Sequence, residues 1–132
     1  MTQFEVVKAY ISLKALNSQR TSGKIAKKIF DLMTLLKPAW DFQVQEENKV
    51  YEKYPMLDPK TMTIDLGKTP EERNERTKMA VEIKKAFDDF GGTEFVLPES
   101  LDQYKFHIDL DSENLKLSGE DIANLAPFIT FD

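Results

Sequence analysis

The chain contains no cysteine, which removes disulfide staples, thiolate zinc ligands and a cysteine nucleophile together. Histidine is almost missing too: His107 stands alone, with no Cys or second His to share a metal ion or a proton. Glycine is sparse, five in 132 residues. Its only cluster, Gly91-Gly92, follows a helical pattern where a phosphate cradle would precede one, so it reads as a helix stop. Neither a G-x-S-x-G elbow nor an S-x-x-K spacing offers a serine nucleophile. Long apolar runs are also lacking. The most apolar stretch, 25–40, is broken by Lys27, Lys28, Asp31, Lys37 and Pro38, short of the roughly 20 apolar residues that a membrane span needs. The first residues carry Glu5 and no apolar run, so no signal peptide is expected. The residues point to an intracellular, soluble protein with no catalysis and no cofactor.

What is present suffices for a core. Hydrophobic residues make up 41% and charged residues 31%, well away from the composition of disordered chains, and the length suits one domain, 1–132. Thr2 with Glu5 forms a capping-box pattern, and Phe4, Val7, Ile11 and Ala15, flanked by Val6, Tyr10, Leu13 and Leu16, recur at helical spacing to about residue 18. After a break at 17–23, with Ser22 as cap, residues 23–54 place Ile25, Ile29, Leu32, Leu36, Trp40, Val44 and Tyr51 on one face. That predicts one helix about 45 Å long, kinked near Pro38, whose length calls for cover by another helix or by a second copy of the chain. A connector at 55–68 holds a short strand at 61–66. Thr69-Pro70-Glu71-Glu72 then opens a helix with Met79, Ile83, Phe87 and Phe90 inward. Strands are expected at 93–97 and 104–110, a short helix from Ser118 up to Pro127, and a closing strand at 128–131. The class is mainly helical α+β, with a long helix and further helices packed on a small antiparallel sheet in the C-terminal part.

Charge is segregated along the chain. Between residues 6 and 30 the charged side chains are Lys8, Lys14, Arg20, Lys24, Lys27 and Lys28, all basic. From Asp88 to Asp132, eleven acids face only Lys105 and Lys116, a balance of −9. Such blocks pair within a fold, pair between subunits, or meet a charged partner. The ordinary reading is a solvated surface. As partner-contacting residues we single out Lys24, Lys27 and Lys28 in the basic block, and Asp109 and Asp111 in the acidic one. Asp88 and Asp89 join them because they stand at a helix C-terminus, where the dipole disfavours acids. Phe42 is added as an aromatic lying off the core stripe of the long helix. Asp109, Asp111, Glu113 and Glu120 occupy positions 1, 3, 5 and 12 of a calcium-loop template. Asn114 in place of the loop glycine, Lys116 at the apolar position and the strand-like approach all favour a polar turn over 111–114 instead.

The run Ser22-Gly23-Lys24-Ile25-Ala26-Lys27-Lys28-Ile29-Phe30, the long charged helix to Val50-Tyr51-Glu52-Lys53-Tyr54 and the closing Leu117-Ser118-Gly119-Glu120-Asp121-Ile122-Ala123-Asn124-Leu125-Ala126-Pro127-Phe128-Ile129 resemble a family of small tailed-phage and prophage proteins. The resemblance implies an accessory protein that binds a host or phage protein, inhibiting a host defence or transcription complex in the host cytoplasm, or serving in virion or tail assembly. It transfers no catalytic residue. The alternative of another class is nucleic-acid contact through the basic block, or mimicry of a nucleic acid by the acidic one.

Overall fold

The computed structural model describes residues 1–132. Helix α1, Gln3–Asn17, begins where Thr2 Oγ1 accepts the Glu5 amide at 3.2 Å and the Glu5 carboxylate accepts the Thr2 amide at 3.3 Å. Helix α2, Gly23–Lys53, is a single helix of 31 residues capped by Ser22. Pro38 lies inside it on the exposed side, where the carbonyl of Thr34, also exposed, can bond water in place of the missing amide. An antiparallel pair, β1 (Leu57–Asp58) and β2 (Thr63–Ile64), leads to α3, Pro70–Gly91, which starts with Thr69 Oγ1 accepting the Glu72 amide at 3.1 Å. A 3-10 helix at Glu99–Tyr104, strand β3 (Phe106–Ile108), helix α4 (Gly119–Leu125) and strand β4 (Ile129–Phe131) complete the chain. It is a mainly helical α+β protein, and no helix is long and apolar enough to cross a membrane.

Two apolar clusters share α2 as their spine. The larger gathers Val6, Ala9, Leu13 and Leu16 of α1 with Ile29, Leu32 and Leu36 of α2, closed by Ile108, Leu125, Phe128 and Ile129 from the C-terminal part. The smaller joins Val50 and Tyr54 to Leu57 under the β1–β2 hairpin and to Ile83 and Phe90 of α3. The length of α2 is thus covered within one chain, by α1 along one half and by α3 along the other.

Several expectations shift in detail. The C-terminal strands pair parallel, Phe106 with Ile129 and Ile108 with Phe131, because the intervening α4 crosses over and returns the chain in the same direction; the antiparallel pair is the connector hairpin. Residues 93–97 form no strand, only a bridge between Thr2 and Glu94, with the Gln3 amide donating to Thr93 O at 2.7 Å. The buried face of α1 is the flanking set, Val6, Tyr10, Leu13 and Leu16, joined by Val7 of the expected stripe, while Phe4, Ile11 and Ala15 lie outside. In α2, Trp40 is half-buried and Val44 exposed; the inward positions past Leu36 are Ala39, Gln43 and Val50. Steps of four residues advance about 400°, so a 32-36-40-44 row drifts off the core by about 40° a step.

Candidate functional site

The expected partner-contacting residues divide between two ends of the molecule. Lys24, Lys27 and Lys28 occupy the first turns of α2, where Lys27 pairs with Asp31 at 3.1 Å and the Lys28 ammonium lies 5.8 Å from the Phe106 ring centre. Asp109 and Asp111 lie near that end, but they do not pair with these lysines. Asp109 Oδ1 instead accepts the amides of Asp111 and Ser112 at 3.1 and 3.2 Å, and these bonds, the Ser112 amide first, hold its carboxyl below the usual aspartate range. Glu113 turns both carboxylate oxygens to the Ser22 amide and hydroxyl, each at 2.9 Å, at the N-terminus of α2. The polar turn over 111–114 forms as expected, with Asn114 at φ 53°. Asp109, Asp111, Glu113 and Glu120 do not converge, and no three carboxylates or histidines anywhere in the chain are grouped to hold a metal ion.

His107 is bonded on both ring nitrogens, Nδ1 at 2.8 Å from Thr130 Oγ1 and Nε2 at 2.9 Å from Asp132 Oδ2. These groups are exposed neighbours across the parallel strand pair, which makes the contact a cross-strand clasp. Phe42 is half-buried and packs on the smaller cluster, because α3 lies along this part of α2.

At the other end, α1, α2 and α3 meet around a cavity of about 320 Å³ lined by Thr2, Phe4, Gln43, Phe87, Asp88, Gly91 and Gly92. Each helix contributes for a local reason. The capping box sets the start of α1, so Phe4 in its first turn projects at the mouth, 51% exposed. Gln43 falls on the inward row of α2 and is 8% exposed; its Nε2 donates to Glu47 at 3.0 Å, while its Oε1 is the one buried side-chain polar atom of the chain without a hydrogen-bond partner. Gly91 ends α3 beside Phe4, and a Cβ there would lie 3.7 Å from the Phe4 Cβ. Asp88 pairs with Lys84 at 2.8 Å on the rim, whereas Asp89 faces a separate groove with Glu46, Lys49, Lys53 and Glu82. Of the expected residues only Asp88 lines the cavity. Phe4, Gln43 and Phe87, which also line it, were not singled out from the sequence: Phe4 and Phe87 fall on apolar helical rows and read as core, and Gln43 reads as an ordinary polar position off the apolar row of the long helix. Comparisons with protein-family models, curated proteins and solved structures find no match to this chain.

Proposed function

We propose that the chain is a non-enzymatic protein-binding module that engages its partner through the cleft between α1, α2 and α3. The observation that carries this reading is the union of an apolar mouth, with Phe4 half exposed, and a recessed Gln43 oxygen without a partner. Interfaces commonly combine an aromatic rim with a few placed polar groups. The outer face of α1 extends the apolar surface from Phe4 to Ile11, which is 50% exposed. With the resemblance to small tailed-phage proteins, the partner is a host defence or transcription complex, and the protein acts as its inhibitor or modulator. The basic block supports nucleic-acid contact less well, since Lys8 and Lys14 lie over the rings of Phe4 and Trp40 and Lys27 is paired with Asp31.

A photo-crosslinking residue placed at Phe4 of the full chain, in phage-infected cells, tests the reading. The expected result is one stoichiometric protein cross-linked from position 4 and none from position 34 on the opposite side of α2. A partner captured only from position 24 or 28, or nucleotide turnover that survives repurification, would overturn it. Cross-linking to a capsid or tail protein keeps the cleft as the interface and replaces the host target with virion assembly.

A further inference from the structure

We infer that Met62 is a peroxide-sensitive modification site, whose conversion to the sulfoxide releases the β1–β2 hairpin from α3. With no cysteine in the chain, its five methionines hold all of its sulfur. Met1 and Met33 pack on the larger apolar cluster and Met56 and Met79 on the smaller, each partly covered. Met62 is the exposed one, with 49% of its surface open. Oxidation follows the exposure of the sulfur, so peroxide meets this side chain first.

The turn and its neighbours set what the sulfur touches. Met62 ends the hairpin turn at φ 57°, and its amide donates to the Asp58 carbonyl at 2.8 Å. Left-handed backbone is costly for a residue that carries a Cβ, so this turn persists only while its surroundings hold it. Those surroundings are mostly apolar. Met62 lines a cavity of about 330 Å³ together with Leu57 and Ile64 of the hairpin region and Ala80, Ile83 and Phe87 of α3. The Tyr51 hydroxyl donates to the Met62 sulfur at 3.6 Å. Burial first, and the Glu47 carboxylate second, push that hydroxyl above the usual phenol range, so it keeps its proton and remains a donor.

The step is balanced by the peroxide alone. A sulfur lone pair attacks one peroxide oxygen, the S–O bond forms as the O–O bond breaks, and the departing hydroxide takes up the remaining proton as water. Sulfur is oxidised by two electrons and the peroxide reduced by two. The product puts a polar S–O group where a thioether lined an apolar wall, and a polar group without a partner is disfavoured there. Tyr51 offers the hydrogen-bond donor at that sulfur, and a sulfoxide oxygen accepts from it better than a thioether does. Both effects draw the end of the side chain out of the cavity. The smaller cluster has five buried residues, Leu57 and Ile83 among them, so uncovering that side loosens the hairpin and α3. Phe87 lines this cavity and the three-helix cleft alike, so on the protein-binding reading the sulfoxide also slackens a wall of the partner site.

The test treats the full chain with limiting hydrogen peroxide and digests it with trypsin, which places each methionine in a peptide of its own. Peptide 61–68 should gain oxygen at least about five-fold faster than the other four. Hydrogen exchange of the chain oxidised at Met62 should then be faster in the hairpin and α3 and unchanged in α1, and a thiol-dependent methionine sulfoxide reductase should reverse the change. Met62→Leu keeps an apolar side chain in place and should make exchange in the hairpin and α3 indifferent to peroxide. Oxygen spread evenly over the five methionines, exchange unaltered by the Met62 sulfoxide, or the same loosening in Met62→Leu would overturn the inference. None of these readouts uses a partner, so a failed capture at position 4 removes the protein-binding reading and leaves the oxidation site standing.

Discussion

At the residue scale, the informative atoms are those whose bonding is decided by neighbours far away in sequence. Gln43 sits where helical spacing admits an apolar residue, and only the approach of α1 and α3 leaves its oxygen without a donor. An orphaned buried acceptor costs about 1–3 kcal/mol, more than the single bond that Gln43 makes to half-exposed Glu47 contributes. Gln43→Met is therefore expected to stabilise the free protein by about 1 kcal/mol in urea denaturation, while weakening partner binding. A loss of stability would show that the Glu47 bond outweighs the orphan. Asp109 makes a second prediction. Its carboxyl is held below the ordinary range in the folded chain by the Ser112 and Asp111 amides, so its contribution is complete above the unfolded value and is lost as pH falls through the depressed folded value. The amide signals of Asp111 and Ser112 should move in that acid window, and Asp109→Asn should remove the transition.

At the element scale, caps were the most legible feature. Thr2, Ser22, Thr69 and Ser118 all begin the helices that the spacing predicts, because a cap needs only residues within four positions of one another. The buried faces were less legible. Helix α1 is apolar nearly all round, so the sequence offers two faces and the contact with α2 chooses the one with Leu13. Two glycines give opposite expectations. Gly67 has φ 74°, and a Cβ there would fall within 2.8 Å of the Glu72 Cβ, so Gly67→Ala should cost more than about 1 kcal/mol by thermal denaturation. Gly91 has ordinary helical geometry and room for a Cβ, so Gly91→Ala should stabilise α3 by about 0.5 kcal/mol. The added methyl narrows the cavity beside Phe4, and the same variant should bind its partner less well.

At the scale of the whole molecule, the segregated charge does not close on itself through ion pairs. No lysine or arginine of the 6–30 block lies within salt-bridge distance of the acidic C-terminal part. What ties the two together is polar and local: Ser22 with Glu113, Gln19 with the Lys116 backbone, and Ser12 with Asp121 at 2.8 Å. Raising salt should therefore change unfolding free energy by less than about 1 kcal/mol, since exposed pairs are all that screening can reach. A steep loss in salt would point to long-range attraction between the blocks. The two clusters also differ in size, 16 buried residues against 5. Native-state hydrogen exchange should show α3 and the β1–β2 hairpin opening at lower free energy than α1 and the first half of α2.

The sequence by itself determined the four α-helices, their caps, the stop at Gly91-Gly92, the polar turn over 111–114 and the mainly helical class, but not the 3-10 helix at Glu99–Tyr104, because each of the former rests on periodicity or on residues a few positions apart. Only the tertiary structure decided which face of α1 is buried, the parallel pairing of Phe106–Ile108 with Ile129–Phe131, and the cavity that joins Phe4, Gln43 and Asp88. Those features depend on residues tens of positions apart being brought together. Packing decides them by burying the most apolar area that the chain's connections allow, and no local pattern encodes that sum.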